Sequence, residues 1–357
     1  MEILRLNDKE QKSRLMRLMR DRHITVVDTI QEDLSELFCI QNPKIAHSSR
    51  RQNAIKRFLV EKKPQNGWKE YGAWVWYPWN RTLVHILPSD EYHEVRTARN
   101  RNLITREEQE KFQDAIIGVA GLSVGNSAAM TIVLQGGAEY MRLADSDRLG
   151  LSNLNRIRAG IPSLGLPKTE LAARQIHEIN PYASLELFSE GVTMKNIKKF
   201  FLGPPKLDLL VEEMDNLAMK IEARKWARKL RIPVVMAADD GDGILLDIER
   251  FDLEPKRPLL HGRIPERLPK KKMTRQEMGI FIGKYFIGEE NIPERMRASL
   301  PEIGKTLYTW PQLGSAATLA GVVTASAARR ILTGEDIASG RIALILDDIL
   351  HRSIQTT

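Results

Sequence analysis

Residues 121–127 read Gly121-Leu122-Ser123-Val124-Gly125-Asn126-Ser127, directly after the apolar run Ala115-Ile116-Ile117-Gly118-Val119-Ala120. Small residues at such a turn let the backbone approach a phosphate, and a following helix offers its unpaired N–H groups to the anion. Asp145 stands 24 residues beyond Gly121, where an acid at the end of the next strand accepts hydrogen bonds from ribose hydroxyls. The loop departs from Gly-x-Gly-x-x-Gly, with Ser123 and Asn126 at two glycine positions, so it does not by itself separate ATP from a dinucleotide. A glycine loop followed by an acid also suits an NAD-dependent oxidoreductase. Read literally, 121–125 is Gly-x-Ser-x-Gly, and a serine hydrolase could draw its remaining groups from Asp215 or Asp240 and from His261.

The elements that must position these residues are strands alternating with helices. AIIGVAG is a buried strand, SAAMTIVLQ a helix and EYMRLAD a second strand ending in acid, which together make a βαβ unit. Further buried strands are predicted at 184–190, 207–213 and 233–238, with helices over 168–180 and near 216–230. A small-residue helix over 313–334 and a late strand GRIALILDDIL follow. The segment 255–300, rich in Pro, Arg and Lys, is expected to be a crossover loop with a short helical insertion. The alternation predicts an α/β fold: a doubly wound, mostly parallel, Rossmann-like sheet with its ligand at the carboxyl ends of the strands.

After Asp145 the chain continues Ser146-Asp147-Arg148-Leu149-Gly150-Leu151-Ser152-Asn153-Leu154-Asn155-Arg156, and then Gly165-Leu166-Pro167-Lys168. This string resembles the ThiF/MoeB/ubiquitin-activating-enzyme superfamily, whose members follow the ribose-binding acid with DxD, SNLxRQ and GxxK. Glu212-Glu213-Met214-Asp215-Asn216 is similar to that family's DxxDN element, and 324–334 to its late helix. The resemblance covers roughly residues 96–335 and implies adenylation, in which a carboxylate attacks the α-phosphate of ATP and pyrophosphate leaves. Two anions are then forced together, so cations on the phosphates and a carboxylate for Mg²⁺ are needed. The family pattern implies that Gly121, Ser123, Gly125, Asn126, Asp145 and Asp147 form the nucleotide cradle. By the same resemblance Asn153, Arg156 and Lys168 bind the triphosphate, and Asp215 positions Mg²⁺. Arg101, in ARNRNLI, matches an upstream arginine that reaches the neighbouring active site across a homodimer.

Many relatives bind zinc through CxxC pairs and pass an acyl group or sulfur through a cysteine. Cys39 is the only cysteine here, which leaves no thiolate set for zinc. It lies in the apolar LSELFCI and reads as a buried hydrophobe. No zinc and no thioester relay are expected, so direct attack by an amine, amide, hydroxyl or carbon nucleophile on the acyl adenylate follows. The expected substrate is a carboxylate-bearing peptide or small molecule. A non-catalytic nucleotide- or peptide-binding regulator is the alternative outside enzymology.

Residues 1–95 differ in texture and are expected to form a small α+β appendage ahead of an adenylation domain over 96–357. Helices are predicted near 8–22 and 48–62, and a hairpin over 72–87 turning near Pro78-Trp79-Asn80. Trp68, Trp74, Trp76 and Trp79 crowd this stretch and read as a packing face for the main domain, with a peptide-holding surface as the second reading.

The 357 residues carry 54 Lys and Arg against 46 Asp and Glu, a net +8. Basic clusters at Arg50, Arg51, Lys56, Arg57, Lys62, Lys63 and at Lys270, Lys271, Lys272 read as solvated faces, since no nucleic-acid reader motif accompanies them. His23, His47, His85, His93, His177 and His351 show no metal-ligand spacing. No apolar run is long enough for a membrane span or a secretory signal, so a cytoplasmic protein is expected.

Overall fold

The computed structural model describes residues 1–6, 8–264, 281–288 and 292–350. Part of the 255–300 loop, the lysines at 270–272 and His351 lie outside them. The chain divides into two units: Met1–Arg106 with His177–Tyr182, and Glu107–Ile176 with Ala183–Thr357.

The first unit is built on a four-stranded sheet ordered β1-β3-β4-β2, with β1 Glu2–Leu4, β2 Thr25–Asp28, β3 Ala73–Tyr77 and β4 Thr82–Ile86. β3 and β4 form the expected hairpin, Val75 opposite Val84, and Arg81 supplies a left-handed turn residue at φ +55°. Period-two alternation sends Trp74, Trp76 and Leu83 to one face, where they meet Leu4 and Leu15. Val75, Tyr77 and Ile86 go to the other. Trp74 and Trp76 therefore fill this unit's own core instead of forming an outward packing face. His85 is fully buried and stacks on Trp74, ring centroids 4.2 Å apart. Its ring is pinned by Asp28 at 2.8 Å and the Tyr71 carbonyl at 2.7 Å.

Helices Lys9–Arg20 and Arg51–Lys62 occur where expected. Helix Ile30–Gln41 and strand β2 were not predicted. Cys39, on that helix, is half-buried and outside any disulfide, where a buried hydrophobe was expected.

The second unit holds a seven-stranded sheet ordered β11-β10-β9-β8-β5-β6-β7. The strands are β5 Ile116–Ala120, β6 Tyr140–Ala144, β7 Ser184–Phe188, β8 Leu209–Glu212, β9 Val234–Asp240, β10 Gly243–Glu249 and β11 Gly340–Ile345. β7, β6, β5, β8 and β9 run parallel, while β10 and β11 are added antiparallel. This is the expected α/β, Rossmann-like sheet. The chain steps from β5 outward to β7, then returns to β8 on the other side of β5. That reversal opens a crevice beyond the carboxyl ends of β5 and β8, the position at which doubly wound sheets bind ligands.

β5, β8 and β9 are near-continuous apolar runs because helices cover both faces of a parallel sheet. β7, expected to be buried, is an edge strand with Leu187 41% exposed. β10 was not predicted; it returns from β9 through a two-residue turn at Gly241 and Asp242. The late strand ends at Ile345, and Leu346–Leu350 is a short helix. Helix Gly314–Thr333 lies so close to helix Val124–Leu134 that a Cβ on Gly321 would come within 2.5 Å of Ser127 Cβ. Among the described residues no helix is long and apolar enough to cross a membrane.

Candidate nucleotide site

The loop after β5 is shaped by Gly121, at φ +91°, where a Cβ would lie 2.2 Å from the Glu213 carbonyl oxygen. Only glycine fits there. Gly125, Asn126 and Ser127 occupy the first turn of helix Val124–Leu134, so its amino end faces the loop. Asn126 is buried and donates to Gln175 Oε1 at 2.9 Å.

Asp145 follows β6. Its Oδ2 accepts from Leu122 N–H at 2.7 Å and its Oδ1 from Asp147 N–H at 2.8 Å, which ties the ribose-type acid to the phosphate-type loop. Lys168 opens helix Lys168–Ile179; it is 6% exposed, with Nζ 2.8 Å from Asp147 Oδ2 and 3.8 Å from Asp145 Oδ2. Burial pushes the Asp145 carboxyl above its ordinary value, partly offset by Lys168 and the two N–H donors.

Arg156 reaches back across the crevice, its Nε donating to Ser123 Oγ at 3.1 Å. Nη1 donates to the Asn155 side chain at 3.0 Å and the Ser152 carbonyl at 3.3 Å. Asn153 Oδ1 caps the turn by accepting from Gly150 N–H at 2.9 Å. Thus Ser123 with Arg156, and Asp145 and Asp147 with Lys168, scattered over 46 positions of sequence, form two bonded groups tied together through the Leu122 N–H that Asp145 accepts.

Asp215 lies beyond β8 with its side chain exposed. The helix that follows is capped by Asn216, whose Oδ1 accepts from Met219 N–H at 3.1 Å. Asp215 is thereby free of the capping role an acid in that place would otherwise fill. Arg101 belongs to the first unit, bonded to Glu94 at 2.8 Å and the Ile40 carbonyl at 3.3 Å.

Two carboxylates escaped the sequence reading of the nucleotide site. Asp239 and Asp240 end β9, are both buried, and each keeps an Oδ1 without a hydrogen-bond partner. Burial pushes both carboxyls up to about 6. The signal was available: acid directly after the apolar PVVMAA repeats the arrangement that picked out Asp145. Behind β8, Glu212 is fully buried with Lys220 at 2.9 Å and in contact with Arg224, which also bonds Glu249 at 2.7 Å. Burial raising the Glu212 carboxyl is outweighed by these two cations, which hold it below its ordinary value.

The groups of the hydrolase reading have other neighbours: Ser123 Oγ accepts from Arg156, while His261 Nε2 lies 3.2 Å from Asp247, which pairs with Met236 on β9, and Nδ1 accepts from Arg257 at 2.9 Å.

The ThiF family model matches residues 97–351. The chain belongs to the ThiF family. This ThiF-family chain therefore carries that family's nucleotide-binding adenylyltransferase fold. It is 34% identical over 353 residues to the uncharacterized protein MT1398 of Mycobacterium tuberculosis, covering 98% of this chain and 46% of that protein. It is 25% identical over 223 residues to tRNA threonylcarbamoyladenosine dehydratase 2 of Saccharomyces cerevisiae, covering 59% of this chain and 48% of that one. With the molybdopterin-synthase adenylyltransferase of Haemophilus influenzae it shares 24% identity over 173 residues, covering 46% of this chain and 68% of that one. The ThiF-family chain spans about half the length of the first two relatives.

Among the described residues no three or more His, Cys, Asp or Glu side chains converge as a metal cage. Magnesium asks for less, usually one or two carboxylates together with substrate phosphates and water. The exposed Asp215 and the buried, unpartnered Asp239 Oδ1 suit it, with Arg156 and Asp215 both close enough to act on the Asp239 carboxyl.

Proposed function

We propose that this chain joins a substrate carboxylate to AMP at the expense of ATP, and that the acyl adenylate is then attacked directly by the acceptor nucleophile. The observation that carries this reading is the cluster Ser123–Arg156 and Asp145–Lys168–Asp147 at the switch point of the sheet. Adenylation needs a backbone cradle, a ribose acceptor and two cations facing a triphosphate, and these residues are of those types. A Haemophilus influenzae relative named as an adenylyltransferase supports the same chemistry.

In this reading the loop 121–127 and the amino end of its helix hold phosphate through N–H groups. Asp145 retains lone pairs beyond the two N–H donors it accepts, and receives the ribose hydroxyls. Arg156 and Lys168 stabilise the negative charge that builds at the α-phosphate as the carboxylate attacks in line. Asn153 adds a polar contact to the triphosphate. Asp215 would hold Mg²⁺, which when bound would supply countercharge to the phosphates.

The substrate is a carboxylate on a peptide or a small molecule. Cys39 lies on helix Ile30–Gln41 of the first unit, and we assign it no acyl-carrying role. A homodimer in the cytoplasm, with Arg101 serving the partner's site, completes the proposal.

ATP–pyrophosphate exchange with candidate carboxylates tests the reading. Exchange that depends on a carboxylate and disappears in Lys168→Ala and Asp215→Ala supports it. NADH binding with no ATP binding replaces it with the oxidoreductase reading.

A further inference from the structure

Asp239 has no task in the reaction just described. β8 and β9 run parallel with Val211 opposite Val235. Asp215 lies three residues past the end of β8 and Asp239 is the penultimate residue of the neighbouring β9, close enough that the charge of Asp215 acts on the Asp239 carboxyl. The Asp239 side chain is only 8% exposed. Gln312 Nε2 donates to its Oδ2 at 3.1 Å, and its Oδ1 is buried without a partner. The Gln312 carbonyl in turn accepts from Asn155 Nδ2 at 2.8 Å, so the carboxyl is oriented from the same turn that carries Arg156.

A carboxylate with one oxygen held and the other bare has the form of a metal ligand steadied by an outer hydrogen bond. The nearby cation, Arg156, already donates to Ser123, Ser152 and Asn155. Next to a triphosphate, the countercharge that serves carboxylates and phosphate oxygens together is a divalent ion, bound by one or two carboxylates. Asp240 is excluded, because strand alternation turns it to the opposite face.

We propose that Asp239 is a second magnesium ligand beside Asp215, so that the ends of two neighbouring strands hold the ion against the nucleotide. The inference rests on the ATP reading above.

Calorimetric titration of the full chain with α,β-methylene-ATP, once with Mg²⁺ and once with EDTA, tests it. Wild type is expected to bind the nucleotide more tightly with Mg²⁺. Asp239→Asn is expected to keep the metal-free affinity and lose about tenfold or more of the Mg²⁺-dependent gain. Asn matches the buried carboxyl in shape and removes an under-compensated charge, so the fold is retained. In Asp239→Cys the gain is expected to return with Cd²⁺ but not with Mg²⁺, since thiolate prefers the softer ion. An undiminished Mg²⁺-dependent gain in Asp239→Asn overturns the inference and leaves the ATP reading standing. Loss of metal-free binding in that variant also overturns it, by assigning Asp239 to the nucleotide itself. A wild type that binds no nucleotide removes the ATP reading and this inference together.

Discussion

Gly121 sits beneath Glu213 with no space for a side chain: a Cβ there would lie 2.2 Å from the Glu213 carbonyl oxygen, at a φ of +91°. The ends of β5 and β8 are thus in backbone contact at the crevice. Gly121→Ala combines a left-handed backbone penalty with a steric clash and is expected to cost about 2–4 kcal/mol. A thermal melt measures the cost, and nucleotide titration is expected to show a further loss because both loops shift. A melting temperature equal to wild type would remove this close approach from the account.

Lys168 stands between Asp147 at 2.8 Å and Asp145 at 3.8 Å. Its removal leaves two carboxylates facing an incoming triphosphate without their cation. Lys168→Ala is expected to lower ATP–pyrophosphate exchange about 100-fold or more. Undiminished exchange would exclude the lysine from the reaction.

Arg224, fully buried between Glu212 and Glu249, supports the strand that leads to Asp215. Replacing it by methionine removes the cation from Glu249 and leaves Glu212 with Lys220 alone, and is expected to cost about 3–5 kcal/mol in denaturant unfolding. The Arg224→Met, Glu249→Gln pair is expected to recover part of that loss. A single variant as stable as wild type would contradict the network.

His93 and His177, both in the first unit, are held by burial down to about 4. The unfolded chain takes up these protons near pH 6.5, the folded one only near 4, so stability falls as pH drops through that interval. With partial solvent access the loss is on the order of 1–2 kcal/mol per ring. Tryptophan fluorescence during acid titration reports it, since Trp68, Trp74, Trp76 and Trp79 belong to this unit. His177→Gln is expected to flatten the pH dependence; an unchanged profile would show that the ring is not titrating there.

Cys39→Ser is expected to leave both pyrophosphate exchange and product formation at wild-type rates. Intact exchange with lost product would restore a thioester step.

Arg156 and Lys168 were singled out only by the family resemblance, whereas the parallel strands and the residues Gly121 and Asp145 are marked locally, by an apolar run, a glycine or an acid at a strand end. Asp239 carried the same mark but went unread, since its connection to Arg156 and Gln312 exists only after β9 pairs with β8. Arg224, Glu212 and Glu249 lie on three elements, and no short-range spacing betrays their pairing. β10 was missed because its apolar run follows β9 with no helix between, breaking the alternation. β7 misled in the opposite direction: SLELF has a buried strand's composition, yet its place at the sheet edge leaves Leu187 in solvent. The swap of 346–350 from strand to helix reflects Asp347 and Asp348, acids that suit a helix start and weaken a strand.

The tight turn from β9 into β10 gives Asp239 a rigidity that its counterparts on crossover loops lack. Asp239 and Asp240 are paired across the hairpin with Ile244 and Gly243, so neither can swing into water to relieve its charge. The burial of these carboxyls is consequently built in when the sheet assembles, and it penalises their charged form. Such an enzyme is preorganised at a cost to its own stability, so neutralising Asp239 by mutation raises the melting temperature of the protein alone while dulling its response to nucleotide and Mg²⁺.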